Sequence, residues 1–441
     1  MMPKDDMSKS LPRQCRKLVV RALVCVLAGV AAIADASPVA VTATANATVE
    51  LTTAQARAIS IEFERLAQAM IDTGQVVGMS AAIVHRGEVL SARGYGITSV
   101  DDPQQVDADT RFRLASLTKG ISGTAAALMV REGLIQWDEP VAPLLTQFEL
   151  ADPIDTSAAT VRDLLTHRLG LPFNALDRQL EGNALYPDLV ARLREQPSRC
   201  PVGECYGYQN IAFSLIGDLA FSTSGEFFEV AVTRRLFLPL GMTRAIFGID
   251  GLLADNNWAH PHQLEGRSFN ALMPLPTYFR VAPAAGANAS ANDMAQWMLA
   301  QLGHRLDVLD AELLEELRTP MVATPGELER VPWRRTRVQS AYYGLGWRIY
   351  DYSGHRLIFH GGAVQGFRGV IALLPEQDFG LVLLWNNQAA LPAGLVPTVI
   401  DRALGLAPID WVNLDQVTRL PVIRPLQRVT RIEAEKTTDG G

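Results

Sequence analysis

Ser116-Leu117-Thr118-Lys119 places a hydroxyl and an amine three residues apart at the start of an expected helix. Residues three apart share a helix face, so the amine can reach the serine oxygen. A serine hydroxyl is a weak nucleophile until a neighbouring base or cation activates it. Lysine can do this as a neutral base, if burial lowers its pKa from about 10.4, or as a cation that stabilises the alkoxide. The helix N-terminus adds positive potential beside the oxygen. Composition singles out the same residue. The chain has 40 basic residues, and the lysines are Lys4, Lys9, Lys17, Lys119 and Lys436, so nearly all the rest of the positive charge is arginine. Arginine cannot be deprotonated, so a body position that keeps lysine against this bias points to amine chemistry.

Two further constellations complete a candidate site. In Tyr208-Gln209-Asn210, a tyrosine oxygen can shuttle a proton if cations lower its pKa. An asparagine can hold a substrate amide by donating and accepting at once. In His360-Gly361-Gly362, at the end of an expected strand, the glycines allow close approach of backbone to ligand, and His360 can bind a substrate carboxylate or assist proton transfer. The N–H groups of Ala363 and Ser116 are candidates for an oxyanion hole. His260 and His262 have a ligand-like spacing but lack a third partner, so no metal site is expected, and no cofactor.

The elements that must position these residues follow from periodicity. Residues Ile59, Phe63, Leu66 and Met70 give one apolar helix face after a cap at Thr52 or Thr53. Residues 79–84 and 89–94 read as a hairpin. Residues 134–335 read as helical and loop-rich. Strands return at 346–350, 356–359, 369–374 and 380–384, followed by a helix at 398–404. The expected fold is therefore α/β of the α+β type: residues 52–115 and 336–410 pair into one antiparallel sheet flanked by N- and C-terminal helices. Residues 116–335 form an inserted helical domain, and residues 411–441 form a tail.

Residues 1–36 read as a cleavable signal peptide, with a basic start, a short apolar run and Ala34-Asp35-Ala36 as the cleavage site. Residues 37–51 are a linker. A periplasmic or secreted location follows. The formal net charge is −7, and removing the signal leaves 34 basic against 44 acidic residues, net −10. An acidic body argues against nucleic acid and anionic membranes as partners, and leaves a small-molecule or peptide substrate. No stable membrane insertion and no obligate protein partner are expected. Cys200 and Cys205 can close a disulfide in an oxidising compartment, stiffening the loop before Tyr208.

Together the three motifs resemble those of the serine β-lactamase and penicillin-binding-protein superfamily. The resemblance is strongest to the class C-like branch with D-alanyl-D-alanine carboxypeptidases, D-aminopeptidases and carboxylesterases. Phe112-Arg113-Leu114-Ala115, Arg162-Asp163-Leu164-Leu165-Thr166-His167, Gly344-Leu345-Gly346-Trp347 and Gly366-Phe367 agree with it, over about residues 52–410. The resemblance implies an acyl-serine mechanism. Ser116 is then the nucleophile and Lys119 its activator. Tyr208 is the general base and leaving-group acid, Asn210 a substrate binder, and His360-Gly361-Gly362 the strand wall. The third motif departs from Lys-Thr-Gly, with Gly361 where a hydroxyl often stands. That favours peptidase or amidase action on D-amino-acid or peptidoglycan-like substrates. Alternatives are a carboxylesterase, a β-lactamase, or a non-catalytic penicillin-binding module.

Overall fold

The computed structural model of the chain describes residues 50–422. The signal segment expected at 1–36, all but the last two residues of the linker, and residues 423–441 lie outside the described residues.

Thr52 caps the first helix, α1 (Thr53–Asp72), through a reciprocal pair of bonds with Gln55. Ala56, Ile59, Phe63, Ala67 and Met70 form its buried face. The chain then enters a hairpin of β1 (Gly78–His85) and β2 (Glu88–Gly96). Its turn residues Arg86 and Gly87 both have positive φ, 48° and 79°, which matches the twist of the flanking strands. The remaining strands are β3 (Phe112–Arg113), β4 (Ile246–Phe247), β5 (His262–Glu265), β6 (Ser268–Ala271), β7 (Ala287–Ala289), β8 (Val322–Ala323), β9 (Val338–Tyr343), β10 (Arg348–Tyr352), β11 (His355–Val364), β12 (Phe367–Leu374) and β13 (Phe379–Trp385).

Eight strands form one antiparallel sheet in the order β2-β1-β13-β12-β11-β10-β9-β8. The first and the last strand hairpins meet where β1 pairs β13, from Met79 opposite Trp385 to His85 opposite Phe379. Met79, Ala81, Ile83, Leu381, Leu383 and Trp385 pack against α1 and the helix Leu395–Ala403. Ala82, Val84, Val382 and Leu384 turn to the other face and join the core shared with the helical middle of the chain. Both faces are covered, which is why these strands read as continuous apolar runs rather than as alternation.

The middle stretch is mainly helical but also holds β4 and β7, which join β3 in a small sheet, the β5-β6 hairpin, and β8 at the edge of the main sheet. Strands of two to four residues carry too little period to be read from sequence. The helix Ala291–Gln301 returns from this stretch to cover β1 and β13. The expected tail also differs in its first part. Trp411 Nε1 donates to Asp401 Oδ2 at 2.9 Å, and Leu420 N donates to the Thr73 carbonyl at 2.8 Å, so residues 411–422 are packed against the sheet domain. Buried Val412 and Leu420 supply the apolar contact that their polar neighbours hid. Among the described residues no helix is long and apolar enough to cross a membrane.

Candidate active site

Ser116 sits in the single turn Ala115–Leu117 between β3 and the helix α2 (Thr118–Arg131). The turn is held from three sides. Leu114 N donates to the Ala287 carbonyl, Thr118 Oγ1 donates to the Ala115 carbonyl, and Ala287 N donates to Thr118 Oγ1. Ala115 adopts φ 49°, a left-handed conformation costing a side-chain-bearing residue roughly 1–2 kcal/mol. Such strain persists only where the surroundings over-determine it. Here it turns the chain sharply from strand into helix at Ser116.

Lys119 is fully buried on the first turn of α2. Its Nζ donates to Asn210 Oδ1 at 2.7 Å and to the Ala284 carbonyl at 3.1 Å, and lies 3.4 Å from Ser116 Oγ. A neutral amine has two N–H groups and one lone pair. Two carbonyl acceptors take two directions on the nitrogen, and the third points to Ser116 Oγ. The electrostatics favour release of a proton. Burial drives the Lys119 pKa well below its ordinary value; the Asp177 carboxylate opposes the drop and the Arg348 guanidinium adds to it. The backbone beneath Lys119 explains Gly344-Leu345-Gly346-Trp347. Gly346 has φ 81°, and a Cβ there would lie 2.1 Å from the Lys119 carbonyl, so the loop before β10 reaches α2 only as glycine.

Tyr208 lies on a segment pinned to residues 167–174. Asn174 N donates to the Tyr208 carbonyl, Gly207 N to the His167 carbonyl, and Gln209 N to His167 Nδ1 at 3.1 Å. The Gln209 side chain donates to the Pro172 carbonyl, which accounts for a long residue in a buried loop. The buried His167 ring packs 4.4 Å from the Tyr208 ring, centroid to centroid, and props it. The Tyr208 phenol is hydrogen-bonded to Ser116. Its pKa is pushed up to about 12 by burial, while Arg348 and the Ser116 bond pull it back. Just upstream, Cys200 and Cys205 form a disulfide with a sequence separation of 5. Closing so short a loop contributes about 2 kcal/mol on the chain-entropy model. Reductant is therefore expected to lower the urea midpoint of the wild type and to leave that of Cys205→Ser unchanged. An equal response of both proteins to reductant would contradict this.

Asn210 is committed chiefly to Lys119. Besides accepting from Nζ, its Nδ2 donates to Asp177 Oδ2 at 2.7 Å, so only one N–H remains for a substrate. Asp177 carries no motif and was not legible in the sequence; the fold alone puts a carboxylate there. The same holds for Arg348, whose guanidinium stands 5.5 Å over the Tyr208 ring.

The strand wall is β11. Gly362 faces the serine turn so closely that a Cβ would lie 3.0 Å from Ser116 N and 2.6 Å from the Leu114 carbonyl. Gly361 turns to the other face, where a Cβ would find nothing nearer than 3.7 Å. Ala363 follows and is exposed. His360 requires a correction. It shares the face of Gly362 but is fully buried, next to the rings of Tyr208 and Tyr343. Its Nδ1 faces the Gly361 carbonyl at 2.9 Å and its Nε2 faces Tyr343 Oη at 3.2 Å. Burial, with Arg348 and Lys119, holds its pKa well below the ordinary histidine value. A neutral ring with both nitrogens used cannot meet a substrate carboxylate; it holds Tyr343 in place. His260 stacks on Trp258, and His262 accepts from Val100 N while its other nitrogen contacts the Asn386 carbonyl. Among the described residues no group of three or more His, Cys, Asp or Glu is placed to hold a metal ion.

The Beta-lactamase family model matches residues 63–402. The chain is 27% identical over 366 residues to unguisins hydrolase ungD' of Aspergillus campestris, covering 79% of this chain and 67% of that protein. It is 23% identical over 338 residues to protein flp of Staphylococcus aureus, covering 75% of this chain and 63% of that one. The chain thus spans about two thirds of the length of these relatives. Among solved structures it resembles the octameric penicillin-binding protein homologue from Pyrococcus abyssi, with TM-score 0.70 and 24% identity over 79% of this chain and 78% of that one. It also resembles SurE, with TM-score 0.63 and 23% identity over 81% of this chain and 78% of that one. These two likenesses speak to the fold. With the family match covering most of the chain, the chain belongs to the beta-lactamase family.

Proposed function

We propose that the chain is an exported hydrolase that cleaves an amide or ester through an acyl-Ser116 intermediate, with D-amino-acid or peptidoglycan-like peptides as the leading substrate class. The carrying observation is Lys119, with two carbonyl acceptors on its N–H groups and Ser116 Oγ in the remaining direction. Neutral Lys119 takes the Ser116 proton as Oγ attacks the carbonyl carbon. The N–H groups of Ser116 and Ala363 meet the oxyanion. Tyr208, held protonated by its raised pKa, acts as the acid: its phenol gives a proton to the leaving nitrogen or oxygen. Lys119 then restores the phenol. Water enters and the sequence runs in reverse to free the acid.

Peptide substrates are favoured by the wall. The β10–β11 ladder ends at Arg348 opposite Phe359, whereas β11–β12 continues to Val364 opposite Phe367. Residues 360–364 thus keep one unpaired edge beside Ser116, to which an extended chain can add as a strand. Export is supported by the signal-like residues 1–36 together with the Cys200–Cys205 disulfide, which suits an oxidising compartment. The test is labelling of the full chain with a fluorophosphonate, followed by mass spectrometry and by assays on D-alanyl peptides and p-nitrophenyl esters. An adduct on Ser116 with release of D-alanine is expected. An adduct elsewhere, or none, sinks the acyl-serine reading; ester turnover without peptide turnover moves the substrate class to esters.

A further inference from the structure

A broad cleft of about 850 Å³ opens between residues 98–107 and residues 256–260. Neither Ser116, Lys119, Tyr208 nor β11 lines it. It is tied to the serine through the chain. Trp258 bridges in parallel to Arg111, and the five residues from Arg111 to Ser116 span at most about 18 Å.

The walls are fixed without a ligand. Arg111 and Arg244 both reach Asp255 Oδ2, at 2.7 and 2.6 Å. Asn257 Nδ2 donates to Asp107 Oδ1 at 3.1 Å, and Asn257 Oδ1 accepts from Thr110 Oγ1 at 2.7 Å. Arg111 N donates to the Asn257 carbonyl, Ala259 N to the Arg111 carbonyl, and His260 N to the Thr98 carbonyl. Preformed concavities with a few convergent polar groups are where small ligands bind.

The lining selects the ligand. It holds no lysine or arginine to meet an anion, and no leucine, isoleucine or valine to meet a lipid chain. Two rings form a flat wall: Trp258 and His260 stack with centroids 3.8 Å apart and planes 20° from parallel. Trp258 is only 8% exposed. The indole N–H groups of Trp137 and Trp347 are sealed in the core, whereas that of Trp258 is not sealed and has no partner among the described residues. The ring nitrogens of half-buried His260 are likewise without a partner there. Burial holds the His260 pKa below the ordinary histidine value against the pull of Asp101 and Asp102, and a neutral ring offers one N–H and one lone pair. The side-chain amides of Gln105 and Asn256 add donors and acceptors, and Gln104 spends one N–H on Asp102. Flat ring faces bordered by amides and a carboxylate match a ligand with C–H faces and a rim of hydroxyl groups, which is a sugar ring.

We propose that this cleft binds a neutral saccharide, with a sugar ring against Trp258 and His260 and its polar substituents on the indole N–H, Gln105 and Asn256. The proposal does not depend on the acyl-serine reading.

The test is titration calorimetry of the full chain carrying Ser116→Ala, which blocks turnover, with triacetylchitotriose and with maltotriose, two neutral sugars that differ in their acetamido groups. A dissociation constant of about 1 mM or tighter is expected for at least one of them. His260→Ala is expected to weaken that binding about tenfold. Trp258→Phe, which keeps a ring and removes the N–H, and Gln105→Ala are each expected to weaken it about fivefold, the loss of one hydrogen bond. Gln105 is exposed, so its variant reports even if the Trp258 variant does not fold. Absence of binding by both sugars, an affinity unchanged in the variants, or tighter binding of spermidine than of either sugar overturns the proposal; the last result would make the cleft a cation site. Fluorophosphonate labelling of Ser116 in the unsubstituted chain reports separately on the acyl-serine reading.

Discussion

Lys119→Met is expected to lower kcat/KM about a thousandfold, the middle of the range for loss of a positioned general base. Lys119→Arg is expected to lose as much. The arginine variant separates the two roles open to a cation beside a serine. A guanidinium keeps the charge but not the base, so if Lys119 worked as a fixed charge, arginine would retain activity. The structure favours the base. The amine is wholly buried, its N–H groups are spent on Asn210 and Ala284, and burial depresses its pKa. The sign of the pH dependence follows. Protonation removes the base, so kcat/KM falls as pH drops through the depressed pKa of Lys119, and it reaches its plateau before the ordinary lysine value near 10.4. Tyr208 stays protonated until about pH 12, so the acid is present across that plateau. Activity within tenfold of wild type in Lys119→Arg, or a rate still climbing at pH 10, would contradict the assignment.

Gly362→Ala should cost about a hundredfold in kcat while binding falls less. The added Cβ would lie 2.6 Å from the Leu114 carbonyl and 3.0 Å from Ser116 N and Leu117 Cδ1. Two of those three atoms are backbone, and Ser116 N is one of the two N–H groups assigned to the oxyanion. The wall must retreat from the serine turn, and a displacement of about 1 Å is enough for a loss of this order. Gly361→Ala, whose Cβ meets nothing nearer than 3.7 Å, should lose at least tenfold less. Urea denaturation of both variants separates misplacement from unfolding. Equal effects of the two substitutions would show that the approach of β11 to Ser116 does not set the rate.

Much of this was legible beforehand because it is local. Ser116 and Lys119 are three residues apart on one helix, and the helix rule alone brings them together. The arginine bias of the chain marked Lys119 independently. The pairing of early with late strands followed from apolar runs long enough to show their character. The short strands β3, β4 and β7 stayed hidden, yet β3 and β7 hold the Ser116 turn. Asp177 and Arg348 were equally hidden. Each reaches the site through contacts across many intervening residues, and nothing in its neighbours marks it.

His360 shows the division most clearly. Its motif and its strand were visible, and a ring beside two glycines invited a role at the substrate. Its depth in the core was not visible, and depth decides whether an imidazole is a ligand for substrate or a buried strut for Tyr343. Asn210 was likewise found by its motif but given its first partner, Lys119, only by the fold. The amino-acid sequence by itself marked the candidate reacting groups and the elements that carry them, because each motif depends on residues within a turn or a strand of each other. The tertiary structure decided which groups are charged, which are covered and which face the cleft. Those properties depend on desolvation and on charges from distant segments, and neither exists until the chain is packed.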